Sequence, residues 1–307
     1  MTLPIARLDN FKKVPPFGDF PIPAGVEVIG IPAAVGTLTA LHSTPRVPQD
    51  QAKPGGIPCG TVLIVPGFTG SKEDFLSFLP LLAEQGWNVW VYSQRGQADS
   101  AAPLGAENYS LEKQAADVVE VASLISPSPV HLLGHSLGGV IASAAAIASP
   151  SSFRSLTMFC SGPHGWPDRH LETTETVTRT GSLGLWERDN PELIDASDAE
   201  LGPEMAFLRM RAAHTSNDNL LAGAEILRHH QDPSAALRGS GLPVLVTHGQ
   251  DDEAWPQSAQ RQMASDIGER AQYRVIPAGA HSPQLEAPQA SAATLDAFWH
   301  SLAVSDS

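Results

Sequence analysis

Cysteine is nearly absent from this chain: two residues, Cys59 and Cys160, in 307. Two cysteines cannot build a disulfide framework, and nothing around them has metal-ligand spacing, so a reducing compartment is expected. Basic charge is also scarce. Nineteen Lys and Arg stand against 33 Asp and Glu, a formal net charge of -14. A field of that sign repels nucleic acid and anionic membrane surfaces, which removes both as expected partners. No apolar run reaches the length of a membrane span, so no transmembrane segment is expected. Met1–Arg7 lacks the charged-then-apolar pattern of a secretory signal, and the expected location is the cytoplasm.

What is present is an ordinary core. Hydrophobic residues make up 42% of the chain, and the length allows two domains or one large α/β domain with an insertion. Thr61–Val65 is a continuous apolar run, the pattern of a parallel strand covered on both faces. Trp87–Tyr92, Val130–Leu133, Ser155–Cys160, Val244–His248 and Tyr273–Ile276 read as further strands. Val26–Ile31 and Thr37–His42 read as a hairpin around Pro32–Gly36. Helical spacing follows the capping box Ser71-Lys72-Glu73-Asp74, with a kink or restart at Pro80. It recurs at Leu111, Ala115, Val118, Ala122 and Ile125 after Ser110, and at Leu295, Phe298, Trp299 and Leu302. A proline-rich leader (residues 1–25) and a Pro/Gly-rich exposed loop (45–60) lie outside this pattern.

Strand and helix alternate from 61 to 160 and again from 243 to the end, which predicts a mostly parallel, doubly wound α/β sheet. Ligands of such sheets bind beyond the carboxyl ends of the strands. Residues 162–242 interrupt the alternation with a different composition and helices expected near 203–214 and 218–230. The domain reading is therefore a core of residues 1–161 and 243–307 with an inserted helical cap at 162–242, over the ligand edge.

Gly134-His135-Ser136-Leu137-Gly138-Gly139 carries the chemistry. It joins the strand at Val130–Leu133 to an alanine-rich helix and matches G-x-S-x-G, the nucleophile elbow. The glycines let the backbone turn tightly so that Ser136 sits at the tip, its hydroxyl facing a cleft. A serine needs a base, and the base needs a carboxylate to hold it. The strand at Val244–His248 runs into Gly249-Gln250-Asp251-Asp252-Glu253-Ala254-Trp255-Pro256, and the strand at Tyr273–Ile276 into Pro277-Ala278-Gly279-Ala280-His281. A carboxylate and a histidine thus follow the last two strands, in the chain order serine, acid, histidine.

With Pro66-Gly67-Phe68-Thr69-Gly70 and Gln94-Arg95-Gly96-Gln97-Ala98-Asp99-Ser100, these motifs resemble the α/β-hydrolase fold family, its serine esterase and monoacylglycerol-lipase-like members in particular. The resemblance covers residues 26–160 and 243–302. It implies a triad of Ser136, Asp252 and His281, with Asp252 preferred to Asp251 by the glycine-to-aspartate-to-proline spacing. It also implies an oxyanion hole from the backbone N–H groups of Phe68 and Leu137. Where many relatives have histidine, this chain has Pro66, and Ala98 replaces a second loop glycine. His248 and the Arg95 loop are expected to be structural.

The implied activity is hydrolysis of a carboxylic ester, a small or lipid-like acyl substrate, with no cofactor and no metal. The same triad would also serve a thioesterase, a lysophospholipase, a carbon–carbon bond hydrolase or a cofactor-free perhydrolase. A ligand-binding relative that has lost catalysis is the non-enzyme alternative. An aspartate nucleophile, as dehalogenases and epoxide hydrolases require, is absent from the elbow. Trp166, Met205, Phe207 and Met210 of the insertion are candidates for an apolar substrate pocket, against a plain role in packing the insertion on the body.

Overall fold

The computed structural model describes residues 11–45 and 59–304. The first ten leader residues, Met1–Arg7 among them, and residues 46–58 of the expected loop lie outside the described residues. One sheet contains β1 (Lys12–Lys13), β2 (Val26–Ala33), β3 (Gly36–Ser43), β4 (Gly60–Val65), β5 (Trp87–Tyr92), β6 (Val130–His135), β7 (Phe153–Phe159), β8 (Val244–Gly249) and β9 (Ala271–Ile276). Its order is β1-β2-β3-β5-β4-β6-β7-β8-β9. β1, β2, β3 and β5 pair antiparallel, and the run from β5 to β9 is parallel.

The helices are α1 (Leu79–Glu84), α2 (Leu111–Ile125), α3 (Leu137–Ala148), α4 (Leu171–Asp189), α5 (Asp198–His214), α6 (Asn217–His229), α7 (Ser234–Ser240), α8 (Gln257–Ile267), α9 (Pro283–Glu286) and α10 (Pro288–Val304). Local chemistry sets their ends. Ser71 and Asp74 close a capping box over a short 3-10 turn, Lys72–Phe75. Pro80 then falls in the first turn of α1, where a missing N–H costs nothing, so the helix restarts rather than kinks. The Ser110 hydroxyl accepts from the Lys113 N–H and starts α2.

Alternation along each strand divides the core between the two faces. Leu63 and Val65 of β4 join Val118 of α2 and Ile141 of α3 on one side. Val62 and Ile64 join Leu82 of α1 and Leu295 and Phe298 of α10 on the other. Each fully buried side chain of this kind contributes roughly 1.5–3 kcal/mol. Among the described residues, no helix is long and apolar enough to cross a membrane.

Four helices, α4 to α7, stand between β7 and β8. α5 and α6 match the helices expected there, and α5 breaks at Gly202 (φ 72°), one residue before the expected start. α4 is the helix the apolar spacing did not predict. Its threonines are poor helix formers, and Gly181 (φ 76°) interrupts it. The hydroxyls of Thr174, Thr178 and Thr180 bond back to carbonyls four residues earlier, which hides their polarity inside the helix. The leader also packs on this segment: Phe17 meets Phe207 of α5 edge-on and Phe20 meets it at a tilt.

Candidate active site

Ser136 sits between β6 and α3 with φ 54° and ψ -120°, a backbone conformation that a non-glycine residue adopts only when its surroundings impose it. The imposition is close packing. A Cβ on Gly138 would collide with the Val65 carbonyl, and one on Gly134 with the Gly138 carbonyl. Only glycines at these two positions let α3 start so near β4 and β6.

His281 and Asp252 meet the serine there. His281 Nε2 lies 3.0 Å from Ser136 Oγ, and His281 Nδ1 lies 3.0 Å from Asp252 Oδ1. The Asp252 side chain is fully buried and the His281 side chain is 37% exposed, so the carboxylate is sealed while the imidazole faces the crevice. The Ala254 N–H donates to the same Asp252 oxygen at 2.9 Å. Asp251 is exposed and points away, its own N–H donating to the Gly279 carbonyl. His248 Nδ1 donates to the Gly249 carbonyl, and Nε2 bonds the Tyr273 hydroxyl of β9.

Three residues outside the expected set hold this arrangement. His135 Nε2 donates to the carbonyl of His281 at 2.7 Å, pinning the backbone of His281 to the elbow. Burial, then the neighbouring His281, pulls the His135 pKa down to about 4, so its ring stays neutral and its donor role fixed. Gln94 and Gln97, both buried, donate to the carbonyls of Pro66 and Gly67 at 2.9 and 2.8 Å. They anchor the loop after β4 by its carbonyls, leaving the Phe68 N–H on the opposite side of the peptide plane. Arg95 holds their loop in turn, with two 2.6 Å bonds to Asp117. The sequence signal for these residues was weak. His135 is the free position of the motif, and glutamine side chains carry no charge pattern.

Phe68 and Leu137 come together under the insertion. A Cβ on Gly223 of α6 would lie 3.0 Å from the Phe68 ring and 3.1 Å from Leu137. A cavity of about 290 Å³ opens beside them, lined by Thr69, Leu185, Trp186, Met205, Leu208 and Leu220 among others. Of the four apolar candidates, Met205 lines this cavity. Trp166 stands at the acid side, its ring 6.3 Å from that of Trp255. Phe207 and Met210 are not brought to the crevice: both pack against Gly18 of the leader, which covers that side of α5. Apolar character marked them as buried but not which side of α5 they would occupy.

His135, Cys160 and His281 have donor atoms within 4.8 Å of one another. They make a poor metal set. Both His281 nitrogens are already engaged, and burial followed by Asp252 pushes the Cys160 thiol well up, so it keeps its proton.

A family model described as "alpha/beta hydrolase fold" matches residues 60–190. A proline iminopeptidase from Heyndrickxia coagulans is 24% identical over 273 residues, covering 81% of this chain and 92% of that protein. Among solved structures, a carboxylesterase from the thaumarchaeon Nitrososphaera gargenis superposes with a TM-score of 0.70 at 18% identity, covering 90% of this chain and 99% of the other. The enol-lactonase from Burkholderia xenovorans LB400 gives 0.67 at 19% identity, covering 85% and 96%. Structural likeness at such identities speaks for the fold alone. Taken with the strand order and the elbow, these likenesses show that the chain has the alpha/beta hydrolase fold.

Proposed function

We propose that this chain is a serine hydrolase that cleaves a carboxylic ester through an acyl-enzyme on Ser136, with residues 162–242 as a cap over the site. The observation that carries this reading is the unbroken relay Ser136 Oγ, His281, Asp252, with 3.0 Å at each step. His281 Nε2 takes the serine proton as Oγ attacks the carbonyl carbon, while Asp252 holds Nδ1–H and balances the imidazolium. The Phe68 and Leu137 N–H groups stabilise the tetrahedral oxyanion. Its collapse expels the alcohol, which takes the proton from His281, and water repeats the cycle on the acyl-serine.

The cavity beside Thr69 suits the acyl chain, since it adjoins the oxyanion loop and Leu185, Trp186, Met205, Leu208 and Leu220 give it an apolar wall, with Asp189, Asn190 and Arg211 also on its lining. A second reading, cleavage of an amide, draws on the likeness to the proline iminopeptidase.

The test is a fluorophosphonate probe with a panel of p-nitrophenyl esters of increasing chain length and proline p-nitroanilide. The expected result is labelling at Ser136, turnover of esters above the anilide, and no effect of EDTA. Ser136→Ala should lose about 10⁴- to 10⁶-fold in rate with an unchanged melting temperature. A well-folded Ser136→Ala that keeps most of its activity would overturn the mechanism.

A further inference from the structure

The chain is acidic overall, yet one cation is held inside the site without a counter-ion. The guanidinium carbon of Arg169 lies 3.9 Å from the centre of the Trp255 ring and 4.3 Å from that of Trp166, on the turn that precedes α4. Trp255 in turn lies 6.5 Å from the His281 ring. The next residue, His170, sits 5.0 Å from the Phe68 ring. Arg169 and His170 therefore span from the loop that carries the acid to the loop that carries the oxyanion donor, across the crevice of Ser136.

An arginine has five N–H donors. Here Nε points at His170 Nε2, 3.3 Å away. Nη1 is buried with no hydrogen-bond partner, and no carboxylate among the described residues is within ion-pair distance of Arg169. Asp168 and Glu172, its acidic neighbours in sequence, are both exposed. Asp252 attracts the guanidinium from a distance, but it bonds His281 and the Ala254 N–H through Oδ1 and makes no ion pair with Arg169. As packing between two indoles, a methionine or leucine would fill the space without desolvating a charge. Burial lowers the Arg169 pKa to about 10, a penalty that an arriving anion would offset. His170, in a left-handed conformation (φ 59°), opens α4 without a side-chain cap, so unpaired N–H groups add to the positive potential.

We infer that Arg169 is a specificity-determining residue that binds a carboxylate on the substrate, so that the ester this site takes is an anionic one, such as the half-ester of a short dicarboxylic acid. The inference rests on the hydrolase reading above. The stacked guanidinium keeps its N–H edge free and flat, the geometry a carboxylate accepts in two parallel bonds. The same cation disfavours a substrate with a free amine.

The experiment compares mono-p-nitrophenyl glutarate, which is anionic, with neutral p-nitrophenyl butyrate. The readout is the ratio of their kcat/KM values, which cancels general damage to the site. Arg169→Met should lower the ratio at least about tenfold, the loss of one charge-assisted pair, chiefly through KM for the glutarate. Arg169→Lys should recover part of it, because charge is kept and the fork is not. Arg179→Met, an exposed arginine on α4, controls for net charge and should leave the ratio as it was. A ratio that moves less than threefold in Arg169→Met overturns the inference. So does a wild type that hydrolyses the butyrate and ignores the glutarate. If neither ester is turned over and the fluorophosphonate does not label, the hydrolase reading fails instead. Calorimetric binding of glutarate to wild type and Arg169→Met then decides: binding lost in the variant supports the role of Arg169, and equal or absent binding in both rejects it.

Discussion

Leu132 in β6 and Leu220 in α6 are both buried leucines, at 0% and 3% exposure, yet they sit in different kinds of interior. Leu132 belongs to a cluster that runs from Ile29 to Ile267 and takes in strands and helices across the whole sheet face. Among the described residues, Leu220 shares its own cluster with two other buried side chains, Val177 and Leu185, and it borders the 290 Å³ cavity. The insertion is tied to the body by polar and aromatic contacts instead. Arg211 pairs with Asp74 at 2.5 Å, Asn219 donates to the Arg95 carbonyl, and Arg169 stacks on Trp255. Under the proposed function, a rigid sheet presents the reacting groups on its loops, while a loosely packed cover presents the surfaces a substrate would touch. Changes to the sheet loops should then cost rate and changes to the cover should shift preference.

The sharpest break of that division lies within two adjacent aspartates. Asp252 is sealed against His281, and Asp251 faces solvent. Asp252→Asn leaves the ring without the acceptor that fixes its tautomer, and kcat should fall by about 10⁴, roughly 5 kcal/mol in the barrier. Asp251→Asn should cost less than about tenfold. Steady-state kinetics on the two variants decide it, and the reverse order would move the role to Asp251.

The leucine pair sharpens the packing half of the comparison. Leu132→Ala opens a hole that neighbouring strands cannot fill, so urea denaturation should show a loss in the upper part of the usual range of about 2–5 kcal/mol. Leu220→Ala merely enlarges a space already present, and its loss should sit at the lower end or below. Its acyl-chain preference should move toward longer esters. Equal losses with no change in preference would mean that the cover is packed as tightly as the sheet.

How much of this was legible beforehand follows the same line. Largely apolar strands such as Trp87–Tyr92, and a helix with strong periodicity such as α2, had their bounds written in the sequence because burial on a sheet dictates residue type. The elbow, Asp252 and His281 were legible because each follows a strand end in a fixed order, and the structure brings the three together. The props were not. Gln94, Gln97 and His135 act by single hydrogen bonds to carbonyls, and no spacing announces such a bond. The cover was half legible: α6 has an apolar stripe, whereas α4 is threonine-rich and takes its stability from contacts with α5 and α6. Arg169 carried no signal at all, since a lone arginine in a polar stretch reads as a solvated charge.

Histidines on the two sides of the comparison give the finest test. Burial, then Arg154 and His300, pulls His131 of β6 down to about 3; burial, then Arg169, pulls His170 at the start of α4 down to about 4. Both are therefore neutral in the folded chain, while in the unfolded chain they titrate near the ordinary value of 6.5. Between those values the unfolded state binds more protons, so stability is fully present above about pH 6.5 and falls as the pH drops toward 4. Each histidine that stays neutral until global unfolding adds at most about 1.4 kcal/mol per pH unit to that slope. His131 lies under Trp87 and Trp299, with Nδ1 on the Ser155 hydroxyl, and water reaches it only when the sheet opens. His131→Asn should therefore flatten the dependence of the urea midpoint on pH between 6.5 and 4.5. His170 lies at the first turn of the cover, which can open while the sheet stays folded, and a locally exposed ring takes up its proton before global unfolding. His170→Asn should leave the global slope nearly unchanged. Equal flattening by both variants would show that cover and sheet unfold as one unit, and the distinction drawn between them would then hold for chemistry but not for stability.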